Sequence, residues 1–142
     1  MLSITKIFTF EMAHAIFGYN GACSNIHGHS YVLHVSVQSA KGLDYTLTPP
    51  GFIIDFKELK EIVNTKVISR LDHKLVLSSD YIKSLGSPLF KASLLLFEAE
   101  PTAENLLLFI SKELIASLPV NVTLYSLKLF ETATSYAEWV NN

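Results

Sequence analysis

Apolar and polar positions alternate from residue 3 to residue 14, with Ile4, Phe8, Phe10 and Met12 set against Ser3, Thr5, Thr9 and Glu11, and with Lys6 and Ile7 interrupting the rhythm. A period of two predicts a half-buried β-strand, and His14 has the parity of its apolar side. The run Phe17-Gly18-Tyr19-Asn20-Gly21-Ala22 marks a loop that turns the chain back. Residues 30–37 then read as a second strand, antiparallel to the first. Tyr31, Leu33, Val35 and Val37 share one face, and Val32, His34, Ser36 and Gln38 share the other. If this strand starts early, His27 and His29 point the same way and His34 points away from them.

A loop with Gly42, Pro49 and Pro50 follows, and Asp55 stands as N-cap of a first helix, with Glu58 completing a capping box. Phe56, Leu59, Ile62, Val63 and Val67 recur at helical spacing and predict a helix over residues 56–70. Residues 75–99 are weakly patterned, broken by Gly86 and Pro88, with Leu94-Leu95-Leu96-Phe97 readable as a short strand. Pro101-Thr102 opens a second helix with a buried stripe of Leu106, Phe109, Ile110 and Leu114, stopped by Pro119. Residues 122–131 alternate as a strand with Thr123, Tyr125, Leu127, Leu129 and Glu131 on one side, and residues 136–140 return as a fourth. The expected fold is therefore α+β, a four-stranded antiparallel sheet with two helices on one face. Its open edges call for cover or pairing, so oligomerisation is expected.

With 142 residues and 49% hydrophobic composition, the chain suits one domain, residues 1–142, with a real core. A net charge of -2 with both signs interspersed gives no nucleic-acid footprint, and a small molecule is the better partner. The first residues lack the pattern of a secretory signal, and no apolar stretch is long enough to span a bilayer, so no membrane partner is expected. A single cysteine cannot form an intrachain disulfide, which fits a cytoplasmic protein.

The chemistry gathers in a short stretch. His14, Cys23, His27 and His29 fall within sixteen positions. A His-x-His pair on one strand and a third histidine on its neighbour form a three-nitrogen site with an open fourth position, which suits zinc. Gly28 allows close backbone approach between the pair. Cys23 is either an inert thiol, a fourth ligand or a general base beside the metal. The base is preferred, because a fourth ligand would close the site and a nearby cation favours the thiolate. Asp72-His73 at the end of the first helix reads equally as a dipole-compensating end or as a proton carrier oriented by its carboxylate. Glu131 is either a strand residue emerging into solvent or an anchor for the N–H groups of a planar heterocycle. Thr102 and Glu104 read most simply as capping and first-turn residues.

Six motifs occur in order: Phe10-Glu11-Met12-Ala13-His14, Cys23-x-x-x-His27-Gly28-His29, Ile54-Asp55-Phe56-x-x-Leu59-Lys60, Leu71-Asp72-His73, Pro101-Thr102-x-Glu104-Asn105 and Glu131-Thr132. Together they resemble the 6-pyruvoyltetrahydropterin synthase superfamily, most closely its bacterial 6-carboxytetrahydropterin synthase branch in queuosine biosynthesis. The three residues between Cys23 and His27 match that branch, whereas Met12-Ala13 departs from the two small residues of many relatives. The resemblance implies a tunnelling fold that forms a barrel, two trimers stacked as a homohexamer, and active sites at subunit boundaries. It implies that His14, His27 and His29 bind Zn2+, that Cys23 is the base assisted by Asp72 and His73, and that Glu131 holds the pterin with Thr102 and Glu104 nearby. The implied reaction converts 7,8-dihydroneopterin triphosphate to 6-carboxy-5,6,7,8-tetrahydropterin, releasing acetaldehyde and triphosphate. A sibling synthase making 6-pyruvoyltetrahydropterin and a non-catalytic zinc-binding protein are the alternatives.

Overall fold

In the computed structural model, which describes residues 2–41, 46–86 and 93–142, β1 (Ser3–His14) and β2 (His27–Ser39) pair antiparallel in unbroken register, from Ser3 opposite Gln38 to His14 opposite His27. The alternation of β1 is continuous. Lys6 occupies the inward row and lays its ammonium 5.7 Å from the centre of the Phe56 ring, while Ile7 points outward and is exposed. An amphipathic lysine can cover apolar surface with its stem, which is why a charged residue fits the row. Gly42 and Pro88, read above as loop and breaker positions, lie outside the described residues.

Among the described residues the sheet has six strands, not four, in the order β4-β3-β1-β2-β5-β6. The two additions, β3 (Lys74–Ser78) and β4 (Leu94–Phe97), run parallel to β1 and to each other. Leu75, Val76 and Leu77 are all buried. A strand covered on both faces has no alternation to detect, so this part of the chain carried little signal. The antiparallel side is completed by β5 (Val122–Thr132) and β6 (Ser135–Val140).

Three helices among the described residues accompany the sheet. Helix α1 (residues 56–71) is α-helical over Phe56–Val63, π-helical over Asn64–Ile68 and α-helical again over Ser69–Leu71. Its buried residues Leu59, Val63, Val67 and Leu71 are spaced by four. Each such step overshoots one α-helical turn by about 40°. The wider π turn unwinds the helix locally and keeps the stripe on the core. Asp55 caps α1 by accepting the Lys57 N–H at 2.8 Å, and no bond from Glu58 back to Asp55 forms among the described residues. A short helix missed in the sequence, α2 (Ser79–Leu85), is capped by Ser78 and ends at Gly86, whose φ of 74° is the left-handed conformation that favours glycine. Helix α3 (Ala103–Ile115) buries Leu106, Leu107, Ile110 and Leu114. Among the described residues no helix is long and apolar enough to cross a membrane.

Facing α1 and α3, the sheet contributes Phe8, Phe10, Tyr31, Leu33, Val35, Leu127 and Leu129 to one hydrophobic cluster. On β5 the expected alternation is reset. Val37 pairs with Leu124 and Ser36 with Ser126, leaving Tyr125 as an extra, bulged residue. Val122 and Leu124 therefore face the core along with Leu127 and Leu129, whereas Thr123 and Tyr125 do not share their side. Deleting Tyr125 removes the unpaired residue and leaves Val122, Leu124, Leu127 and Leu129 in regular alternation, all still on the core side. A buried leucine contributes about 1.5–3 kcal/mol and none is turned outward, so the deletion should change stability in urea unfolding by less than one such contribution. A loss of several kcal/mol would show that the bulge itself is needed.

Candidate metal centre and active site

The strand register brings the three histidines together. His14 ends β1 opposite His27, and His29 stands opposite Met12 in the same row as Tyr31 and Leu33. One ring nitrogen from each of His14, His27 and His29 lies within 4.8 Å of the other two. His14 is buried, and its partners are half-buried, so the group opens outward from the core. The Nδ1 of His14 is 2.6 Å from the Pro101 carbonyl oxygen, and the Nδ1 of His27 is 2.7 Å from that of Asn25. A carbonyl oxygen only accepts, so each Nδ1 carries its proton and each Nε2 presents a lone pair. The two Nε2 atoms stand 3.1 Å apart.

Two facing lone pairs at that distance repel unless a cation draws both. Nitrogens bound tetrahedrally at about 2.0–2.1 Å from zinc stand about 3.3 Å apart. The donor set thus fits a metal ion in both chemistry and spacing. Burial pulls the His14 pKa below the ordinary histidine value, as do the neighbouring His27 and His29, against the opposing pull of Pro101 and Glu131. His14 is accordingly kept in the neutral form that a metal requires.

Glu131, near the end of β5, points its Oε1 to within 3.9 Å of the His14 Nε2. Beneath lies Tyr31, fully buried and stacked on Phe10 with ring centres 5.0 Å apart. Its hydroxyl is 3.4 and 3.5 Å from the two ring nitrogens of His14. Near-equal distances mean that it is bonded squarely to neither. Burial first, then the Glu131 carboxylate, drive the phenol's pKa upward and keep its proton in place. Glu131 also lines a cavity of about 410 Å³ with Ala103, Glu104 and Tyr136. Thr102 is the N-cap of α3, its hydroxyl accepting the Asn105 N–H at 3.2 Å, and Glu104 sits in the first turn.

Asp72 and His73 attach to β1 from its other side. The Asp72 carboxylate accepts the Glu11 N–H at 2.9 Å and lies 3.0 Å from the His73 Nδ1, and the His73 N–H donates to the Glu11 carbonyl at 2.7 Å. The Glu11 N–H, followed by the bonds to His73, holds the Asp72 carboxyl below its usual range. These bonds fix His73 at a φ of 59°, uncommon for a residue other than glycine. His73 and His29 line one cavity of about 440 Å³. Cys23 lies on an exposed 3-10 turn, Ala22–Ser24, and its thiol is not among the converging ligand atoms. Its carbonyl accepts the Ile16 N–H at 2.8 Å, which closes the loop on itself.

Sequence reasoning placed all three histidines and Glu131 in one neighbourhood but missed Tyr31 and the carbonyls of Asn25 and Pro101. Tyr31 was legible through its parity with His27 and His29. The carbonyls were not, because every residue has one.

A mixed α+β sheet with helices packed on it, and a three-histidine group where its central strands end, defines a tunnelling-fold protein with a candidate metal centre. Solved structures show the same fold. An uncharacterized protein from Wolinella succinogenes aligns over 99% of this chain and 98% of its own, with a TM-score of 0.81 at 19% identity. The 6-pyruvoyl tetrahydropterin synthase of Plasmodium vivax aligns over 100% and 99%, with a TM-score of 0.71 at 18% identity. The chain belongs to the 6-pyruvoyl tetrahydropterin synthase family, whose model matches residues 3–142. Among its relatives, the 6-carboxy-5,6,7,8-tetrahydropterin synthase of Haemophilus influenzae is 31% identical over 98% of this chain and 99% of its own. The 6-pyruvoyl tetrahydrobiopterin synthase of Dictyostelium discoideum is 37% identical over 82% of this chain and 71% of its own.

The lowered pKa of His14 has a sign that can be checked. As the pH falls, the unfolded chain takes up this proton first, near the ordinary value of 6.5. The contribution is full above that value and is lost as the pH drops through the lower value of the folded chain. Urea midpoints of metal-free protein should therefore fall between about pH 7.5 and about pH 5.5. His14→Gln should flatten the fall, and an equal fall in both proteins would assign it to other groups.

Proposed function

We propose that this protein is a zinc-dependent 6-carboxy-5,6,7,8-tetrahydropterin synthase of queuosine biosynthesis, acting in the cytoplasm as a homohexamer of two stacked trimers. The observation that carries the reading is the three-histidine centre with Glu131 beside it, in a chain that aligns with the Haemophilus influenzae enzyme over nearly its whole length. The substrate is 7,8-dihydroneopterin triphosphate. With water it gives 6-carboxy-5,6,7,8-tetrahydropterin, acetaldehyde and triphosphate. The pterin ring gains the reducing equivalents that the side chain loses, so no nicotinamide is needed.

Each residue has a defined task in this reading. His14, His27 and His29 hold zinc, which supplies Lewis acidity toward the side-chain oxygens of the substrate. Glu131 accepts N–H bonds from the pterin, with Thr102 and Glu104 contributing near the same cavity. Cys23, as thiolate, removes a carbon-bound proton. Asp72 accepts the Nδ1–H of His73, which leaves the other nitrogen to supply or take protons as triphosphate departs. In the hexamer this pair serves the centre of a neighbouring subunit. The Dictyostelium discoideum relative favours a second reading, 6-pyruvoyltetrahydropterin synthesis from the same substrate, which releases no acetaldehyde.

Incubating zinc-loaded protein with dihydroneopterin triphosphate and weighing the products by mass separates the two, with carboxytetrahydropterin and acetaldehyde expected. Cys23→Ala should keep its zinc and lose on the order of 10²–10⁴-fold in turnover; an unchanged rate removes Cys23 as the base. Glu131→Ala forfeits charge-assisted hydrogen bonds of about 1.5–3 kcal/mol. Pterin binding measured by calorimetry should weaken by roughly ten- to a hundredfold, and an unaltered dissociation constant would reassign the residue.

A further inference from the structure

The chain just before α3 holds two things at once. Pro101 accepts the Nδ1–H of His14 at 2.6 Å. Glu100, the residue before it, accepts the backbone N–H of Phe17 on its carboxylate Oε2 at 2.9 Å. Phe17 opens the loop that carries Cys23, and the Ile16 N–H bond to the Cys23 carbonyl ties the two feet of that loop together. The holding segment is itself fixed. The Glu100 carbonyl accepts both the Asn105 side-chain amide and the Thr102 N–H at 2.9 Å, while Thr102 caps the helix. Two consecutive residues, anchored on a helix N-terminus, thus grip a metal ligand and the foot of the thiol loop.

We propose that Glu100 is a positioning residue for Cys23, and that with Pro101 it forms a two-point template setting the thiol's place relative to the three-histidine centre. The proposal rests on the reading of Cys23 as the base and deepens it. Tyr19, Asn20, Gly21 and Ala22 are exposed, so the loop has little apolar burial to hold it. Its placement depends on its few hydrogen bonds. A carboxylate accepting an N–H makes one of the stronger bonds of this kind. Proton abstraction needs the base at hydrogen-bond distance from the reacting carbon's proton, and a displacement of about 1 Å costs on the order of 10²-fold. Glu100 touches no reacting atom in this assignment; it acts through the loop.

The test compares zinc-loaded wild type, Glu100→Ala and Glu100→Gln. Glu100→Ala should lower kcat by about tenfold or more while KM stays within about twofold. Its zinc content should be unchanged, and amide exchange should quicken at residues 16–24 but not along β2. Glu100→Gln keeps a neutral acceptor oxygen and should recover most of both kcat and protection. Unchanged exchange in Glu100→Ala overturns the template, and faster exchange with unchanged kcat overturns the positioning role. A raised KM with kcat retained would make Glu100 a substrate-binding group instead. Absence of turnover in the wild type would sink the proposed function separately. In that event the alkylation rate of Cys23 by iodoacetamide decides, a raised rate in Glu100→Ala supporting the template and an equal rate overturning it.

Discussion

The site depends on the antiparallel register of β1 and β2. Phe8 faces Leu33 and Phe10 faces Tyr31, and these buried pairs lock the two strands against slippage. Because side chains alternate with a period of two, a slip of one residue would send His27 and His29 to the other face while His14 stayed. The histidines are the last members of rows whose other members are core. Packing and chemistry are therefore written in the same register, and a core substitution that loosens the pair also loosens the centre.

A second layer of fixation comes from elsewhere in the chain. The carbonyls of Asn25 and Pro101 decide which nitrogen of His27 and His14 faces inward, and Pro101 is itself held by the capped start of α3. On the other flank, the bulge at Tyr125 resets β5 so that Leu127 and Leu129 are buried and Glu131 arrives beside His14. The start of α3 and the end of β5, far apart in sequence, thus converge on the imidazole of His14. Burial keeps that imidazole neutral, and the adjacent carboxylate moderates the cost of any positive charge placed there.

Much of this was legible beforehand, and the failures have physical reasons. Period-two patterns gave β1, β2, β5 and β6, and helical spacing gave α1 and α3. The His-x-His spacing and the parity of His14 gave the three-histidine group. The strand β3 was hidden because Leu75-Val76-Leu77 do not alternate, and a buried parallel strand has no polar face to announce it, whereas β4 falls on the short strand read at Leu94-Leu95-Leu96-Phe97. Lys6 seemed to break a pattern that it in fact continues, since a lysine stem can line an apolar row. The Tyr125 bulge carries no glycine to mark it, so parity read straight through misplaced Thr123 and Tyr125. The attachment of Asp72 and His73 to Glu11 is made through the β1 backbone, which no side-chain pattern records.

The bond from Ile16 to the Cys23 carbonyl divides the first loop into two parts of different freedom. Between its feet, residues 18–22 form an outward bight whose length can grow or shrink without moving either end. From Cys23 to His27 the chain is instead a taut tether, running from a closed ring to a strand partner. Evolution can therefore rework the bight as a surface for substrates or neighbouring subunits without moving Cys23. A change in the tether's length would instead shift Cys23 relative to His27, which is why that interval can distinguish one branch of the family from another.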